Sequence, residues 1–233
     1  MKAFQFEVKG NWAHFRKPET NNNPLTHSFI TKTAMIGMIG AVLGIERVEM
    51  KNLFPQLSQD LLYGVWVKNT VKKETWAFTS RNILDFFHKA PKQVEFLRDF
   101  ENRVILGLYN RRSTALFDNF QTAIERQEAK FTPVLGWHNC PAELKFVTKG
   151  ELNAEKGNFA TNGFVIQNYQ IKTKILMKDD FLLGFEKIPS LQNEDFWNIP
   201  EKYVEVIFPT QSKQILGNGE YFQFSDKSQW VLI

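Results

Sequence analysis

The residues best suited to chemistry lie together near the start of the chain. Arg16 and Lys17 supply charge, and Thr20, Asn21, Asn22 and Asn23 supply uncharged donors and acceptors able to meet phosphates, riboses or base edges. A helix-forming run then begins at Thr31, Lys32 and Thr33. A helix N-terminus presents unpaired N–H groups and a positive dipole end, which suits a phosphate. The loop and the helix start together make one candidate anion site; an Asn-rich loop that is only a turn gives the same pattern. Elsewhere, His138, Asn139, Cys140 and Pro141 place a thiol beside an imidazole, but sequence neighbours seldom face each other, and the flanking apolar residues fit a buried structural cysteine. Asp179 and Asp180 lack the spaced carboxylates or histidines of a metal site and read as a hairpin turn. With Cys140 the only cysteine, an internal disulfide and any multi-cysteine zinc or iron–sulfur site are excluded. No metal or cofactor is expected.

These residues need elements to position them. Phe4, Phe6 and Val8 alternate with polar residues, so residues 3–9 read as a strand that Gly10 and Asn11 end. Thr31 or Thr33 caps a helix running to about Ile45, with Gly44 at its C-terminal end. On a helical wheel Gly37, Gly40, Ala41 and Gly44 fall on one side-chain-poor face, while Met35, Ile36, Met38, Ile39, Val42 and Leu43 fill the rest, so burial all round is expected. Three interior glycines cost about 1 kcal/mol each against alanine, which implies close approach by a sheet or helix, or by a ligand backbone near the N-terminal end. The glycines fit neither a dinucleotide fingerprint nor a P-loop.

Residues 61–67 read as a buried strand, 69–102 as a charged, aromatic insertion with a helical portion around Val94–Phe100, and 103–109 as another strand. Ser113 stands where it can cap a helix lined by Leu116, Phe117, Phe120, Ala123 and Ile124, and residues 143–147 alternate as a strand. The resulting plan is α+β. It has a ferredoxin-like (RRM-like) βαββαβ domain at 1–149 with the insertion at about 69–102, then a smaller β-rich C-terminal unit at 150–233. Short strands are expected there near 164–166, 171–177, 203–208, 221–224 and 230–233.

At 233 residues the chain can bury a substantial core, and its 22 phenylalanines must largely sit inside. The longest apolar run, Ala34–Ile45, is well short of the roughly 20 residues of a bilayer span, and the alternating N-terminus is not a secretory signal; no membrane contact and a cytoplasmic location are expected. Net charge is only +4, but residues 68–112 hold ten Lys/Arg against five Asp/Glu, whereas 170–233 hold seven against nine. A clustered basic segment suits a polyanion such as nucleic acid, and a solvated loop gives the same count.

The run Gly10–Pro18, then Thr20–Asn22, Leu25-Thr26, Phe29, Lys32–Ala34 and Gly37–Gly44, resembles the N-terminal signature of the CRISPR-associated Cas-five family, in particular its type I-B-like branch. Weaker similarity continues at Glu95–Leu97 and at Phe131–Gly136, so the resemblance covers about the first 145 residues. It departs at Ile30-Thr31, where many relatives have prolines, and at His27, where an aromatic is common. The resemblance implies a non-catalytic subunit of a Cascade interference complex with a projecting thumb, which caps the 5′ handle of crRNA. Its partners would be the backbone and large subunits, with target DNA reached indirectly. Carried over, Arg16, Lys17, Thr20, Asn21, Asn22, Asn23, Thr31, Lys32 and Thr33 become RNA-contact candidates, and the insertion, with Lys72, Lys73 and Arg81, becomes the thumb. One branch of the family is a metal-independent endoribonuclease. That alternative needs groups to activate the 2′-hydroxyl and protonate the leaving oxygen; His88-Lys89 with Arg81 is the pairing considered, and an exposed loop histidine is the competing reading of His88. A scaffold touching only protein partners is the third possibility.

Overall fold

The structure, a computed structural model, describes residues 1–82, 85–168, 170–171, 182–191 and 200–233, with the side chains of 80–89 and 170–171 outside the described set. In chain order the elements are β1 (Lys2–Ala13), α1 (Lys32–Leu43), α2 (Arg47–Asp60), β2 (Leu61–Val67), β3 (Lys72–Asn82), β4 (Asp85–Leu108), α3 (Thr114–Arg126) and β5 (Glu143–Thr161). They continue as β6 (Val165–Ile166), β7 (Gln170–Ile171), β8 (Leu183–Leu191), β9 (Lys202–Pro209), β10 (Ile215–Phe224) and β11 (Gln229–Trp230). The main sheet runs β11-β10-β5-β1-β4-β2, with β3 on β4 and β7 on β10; a second sheet runs β6-β9-β8. Every recorded pairing is antiparallel. The body is thus mixed α and β, mostly sheet, with few helices.

β1 is central because both of its faces are apolar or satisfied. Phe4 and Phe6 meet Phe120 of α3 edge-on, at ring distances of 5.9 and 5.7 Å. On the opposite face Ala3 packs with Ile105, Leu152, Phe224, Trp230 and Leu232. Each fully buried ring contributes about 1.5–3 kcal/mol, so the phenylalanine-rich composition is spent on the layer between sheet and helices. β1 also runs four residues past the expected end at residue 9. Gly10 does not stop it: a Cβ there would lie 2.4 Å from Leu135 Cδ1 and 2.9 Å from the Pro141 carbonyl oxygen, so the glycine admits the 131–141 loop against the strand.

α1 has its expected bounds, with Thr31 Oγ1 accepting from Ala34 N at 3.3 Å and Gly44 ending it in the left-handed region. The expectation of burial all round is corrected: Gly37 is exposed, with nothing within 4 Å of its would-be Cβ. Gly40 carries the close approach, its missing Cβ leaving room for Met50 of α2, whose Sδ would be 2.7 Å away. α2 itself has no counterpart in the sequence reading, although Met50, Phe54 and Leu57 follow helical spacing and are buried; Pro55 inside it obscures the pattern. Its end is fixed by Asp60, fully buried, whose carboxylate accepts from Arg112 Nε at 2.8 Å and Ser113 Oγ at 2.6 Å. Ser113 therefore stands at the start of α3 but gives its hydroxyl to Asp60 and makes no side-chain cap bond.

Residues 94–100 are strand, not helix: they belong to β4, 24 residues long. β5 passes residue 150 unbroken and changes partner there, pairing with β1 over Glu143–Glu151 and with β10 over Leu152–Thr161. The expected seam at 149/150 thus falls at an exchange of partners within one strand. The outer edge of β2 is closed by the C-terminal segment. Tyr63 and Ile233 exchange backbone hydrogen bonds at 2.9 and 3.0 Å, and Phe164 N donates to Val65 O. β8 was not expected; β6, β9, β10 and β11 overlap the expected strands at 164–166, 203–208, 221–224 and 230–233. The expected strand at 171–177 and the turn at Asp179-Asp180 lie, beyond Ile171, outside the described residues.

Candidate nucleic-acid interface

The insertion is a two-stranded ribbon. β4 pairs with β1 only as far back as Leu97, while its residues 89–98 and Asp85 pair with β3, so the ribbon projects roughly 30 Å beyond β1 at about 3.3 Å per residue. Asp99, with φ 52, kinks β4 where its neighbour changes from β2 to β3, and Lys72 holds its carboxylate at 3.0 Å. Because side chains alternate across a strand, the base of the ribbon has two distinct faces.

The loop after β1 docks on one face. Glu95 N donates to Pro24 O (3.0 Å), Thr26 N donates to Glu95 Oε1 (3.1 Å), and Lys73 Nζ donates to Thr26 O (2.9 Å) while pairing with Glu95 at 3.2 Å. The loop is closed on itself by Lys17 N to Leu25 O and His27 N to Phe15 O, both 2.8 Å. Thr20 makes its turn, donating Oγ1 to Lys17 O and accepting from Leu25 N. The exposed Arg16 guanidinium donates to Thr20 O and, at 2.8 Å, to Asn21 Oδ1. Asn21, Asn22 and Asn23 form the exposed tip. Lys17 points the other way, to Glu186 of β8 at 3.0 Å. That buried carboxylate also accepts from His27 Nδ1 (3.1 Å), Ser28 N (3.2 Å) and Ser28 Oγ (2.7 Å). Burial alone would raise the Glu186 carboxyl, but the hydrogen bonds from His27 and Ser28 and the Lys17 charge outweigh it and hold the group at about 2.

The other face is aromatic. Trp12 meets Trp76 at 4.4 Å between ring centres; Trp76 meets Phe96 at 5.1 Å and Phe78 at 6.3 Å; Trp137, from the loop after α3, stacks on Phe96 at 5.2 Å and meets Phe78 at 5.8 Å. Gly136 seats that loop: its φ is +82 and a Cβ would lie 2.0 Å from the His14 carbonyl oxygen. Trp76 and Phe78 remain 37% and 38% exposed.

The structure brings Arg16, Lys17, Thr20, Asn21, Asn22, Asn23 and Lys73 together beside the ribbon, with Lys72 nearby in its pair with Asp99. It does not bring the start of α1 to that surface. Thr31 and Lys32 are buried, Thr33 is half-buried with its hydroxyl 3.1 Å from that of Thr31, and Lys32 Nζ donates to Ile233 O at 3.2 Å. Burial pushes the Lys32 ammonium down to about 8. The neighbouring Ile30 is tied on both sides, its N–H donating to Asn102 Oδ1 at 3.1 Å and its carbonyl accepting from the buried Tyr63 hydroxyl. The helix start expected to offer an anion site is thus packed against β2, β4 and Ile233. The Arg81 and His88 side chains lie outside the described residues. His14 is buried, its Nδ1 2.7 Å from Glu95 O, and burial pushes its imidazole down. Cys140 is buried, which pushes its thiol up. Among the described residues no group of three or more His, Cys, Asp or Glu is placed to hold a metal ion, and no described helix is long and apolar enough to cross a membrane. The aromatic row escaped the sequence reading. Its signal was the two-residue spacing of Trp76 and Phe78, a pattern only two rings long with Thr75, Ala77 and Thr79 on the alternate positions.

Residues 4–162, more than half of the chain, match the family described as CRISPR-associated protein (Cas_Cas5), and the chain belongs to that family. Among solved structures, a CRISPR protein from Archaeoglobus fulgidus is similar over 99% of this chain and 98% of its own, at 12% identity and TM-score 0.61. A CRISPR RNA-guided surveillance complex contains a chain similar over 92% of this one and 91% of its own, at 11% identity and TM-score 0.56. These likenesses establish the fold. No curated protein sequence matches the chain.

Proposed function

We propose that this chain is a non-catalytic subunit of a type I CRISPR Cascade interference complex, binding the 5′ handle of crRNA and helping the backbone and large subunits assemble around it. The observation that carries this reading is the projecting ribbon in a Cas_Cas5 family member, with exposed Arg16, Asn21, Asn22 and Asn23 clamped at its base. The strand order β5-β1-β4-β2, with α1 and α3 in the two crossovers, supports a ferredoxin-like core, and the ribbon is then its thumb. That a structure of similar fold belongs to an RNA-guided surveillance complex supports the assembly role. Arg16 and the three asparagines are the contacts; Lys17 and Lys73, committed to Glu186 and Glu95, hold the loop in place.

The test is a gel shift of the complex reconstituted with its operon neighbours, using crRNA with its own or a scrambled handle. Tighter binding of the native handle is expected. Arg16→Ala should weaken binding and reduce the slope of log K against log salt by about 1, as for one lost phosphate contact. Equal affinity for both handles ends the reading. Incubation of the pure chain with precursor RNA in EDTA should leave the RNA intact; a discrete cut lost in His88→Ala establishes the endoribonuclease instead.

A further inference from the structure

The ribbon's second face is not needed for the loop contacts above, and its chemistry differs from theirs. We infer that the aromatic row Trp12, Trp76, Phe78 and Trp137 is a stacking shelf for unpaired nucleobases of the bound RNA, an inference that rests on the nucleic-acid reading of this surface. A ribbon of two strands gains stability from cross-strand ring contacts, and Phe96, buried and touching Trp12, Trp76, Phe78 and Trp137, already serves that purpose. It does not account for Trp76 and Phe78, more than a third exposed at alternate positions of β3, where they form one continuous apolar surface.

The charges around this surface identify its occupant. Lys92 lies directly opposite Phe78 on the same face, is exposed, and has no ion-pair partner among the described residues. At the other end of the row Arg98 faces both Trp12 and Lys72 in register, and Glu74 and Asp99 pair with it. His138 stands exposed beyond Trp137, at 6.4 Å between rings. A hydrophobic row with the exposed Lys92 at one end and Arg98, already paired with Glu74 and Asp99, at the other matches a single strand whose bases lie on rings while a phosphate meets Lys92, the combination used for sequence-tolerant single-strand binding. An apolar protein surface would instead leave Lys92 desolvated and unpaired.

The test titrates the full chain with a twelve-nucleotide oligoadenylate and with an abasic strand of the same length and charge, following tryptophan emission and electrophoretic mobility. Quenching by oligoadenylate, and at least about tenfold weaker binding of the abasic strand, are expected, since each stacked base is worth about fivefold or more and the row offers more than one ring. The double variant Trp76→Leu, Phe78→Leu should bind both strands alike, with affinity near that of the abasic strand. Trp76→Phe, which keeps a ring, should retain the discrimination, and equal melting temperatures separate these effects from misfolding. Equal binding of the two strands by the wild type, without quenching, overturns the shelf and leaves the loop reading standing. Absence of binding to either strand also overturns the shelf, while the handle reading stands or falls with the crRNA gel shift of the complex. A change in tryptophan emission produced by partner subunits and not by RNA also overturns the shelf, assigning it to a protein contact.

Discussion

Lys32→Met separates the two roles that the sequence offers for this lysine. As an RNA contact at a helix N-terminus, Lys32 would lose affinity on substitution; as a buried lysine whose ammonium, among the described residues, is hydrogen-bonded to the Ile233 backbone oxygen alone, it should make the protein more stable when removed. Displacement from 10.5 to about 8 means that the charged form is held at neutral pH at a cost of roughly 3 kcal/mol, at 1.36 kcal/mol per pH unit. Methionine keeps the apolar stem and loses one hydrogen bond worth about 1 kcal/mol. The net gain is about 2 kcal/mol at pH 7, or roughly 5 °C in melting temperature for a chain of this size. The sign of the pH dependence follows from the lowered folded value. Below about 8 both states carry the proton and the full cost is present. Between about 8 and 10.5 the folded lysine is neutral while the unfolded one is still charged, so wild-type stability rises with pH. Above 10.5 the cost is gone. Thermal melts of both proteins from pH 7 to 10 should show the variant ahead at pH 7 and its lead shrinking on the alkaline side. A variant that melts lower at pH 7, or a lead independent of pH, refutes the burial argument; loss of crRNA affinity with unchanged stability restores the helix start as a contact.

Two further perturbations follow from the same contacts. Glu186 is held at about 2 against an ordinary 4.5, so its contribution of roughly 3 kcal/mol is present above pH 4.5 and is lost as pH falls through about 2. Glu186→Gln should therefore lower the melting temperature by several degrees at pH 7, with the gap narrowing in melts taken from pH 4.5 down to 2.5; a constant gap counts against the charge network. Gly136→Ala places a Cβ against the His14 carbonyl oxygen at a position with φ +82, which should cost about 1–3 kcal/mol and unseat Trp137. Red-shifted tryptophan emission together with a lower melting temperature checks it, and unchanged emission removes Gly136 as the hinge of that loop.

What the sequence could and could not convey follows from the range of each interaction. α1 was legible with its caps because Thr31 and Gly44 act on backbone within one turn of themselves. β1 and α3 were legible because apolar residues recur at the period of each element, and β2 because Leu61–Val67 is a continuous apolar run. α2 was hidden by Pro55, whose cost to the helix is outweighed by burying Met50, Phe54 and Leu57. The ribbon was illegible for a different reason: a strand pairing only with its own hairpin partner buries one face at its base, so Trp76 and Phe78 share their face with the charged Lys72 and Glu74 and no long hydrophobic period forms. The closing of the α1 N-terminus depends on Ile233, some 200 residues away in the chain, and no local pattern carries that information.

The same distinction explains why the Asn-rich loop is exposed while the start of the helix that follows it is buried. Among the described residues no hydrogen bond ties Asn21, Asn22 or Asn23 to a distant part of the chain; Arg16 and Thr20 shape the tip locally, and Lys17 and Lys73 anchor its two ends through carboxylates on β8 and β4. Burying Glu186 requires compensation by cations and hydrogen-bond donors, and Lys17, His27 and Ser28 provide them. The positive charges that appear available in sequence are therefore divided: Lys17, Lys32 and Lys73 serve the fold, and Arg16 and Lys92 face outward on opposite faces of the ribbon. A strand crossing the base of the ribbon would meet hydrogen-bonding groups on one face and rings on the other, so a loop variant should change the salt slope and a shelf variant the discrimination between bases and abasic sites, each leaving the other quantity in place.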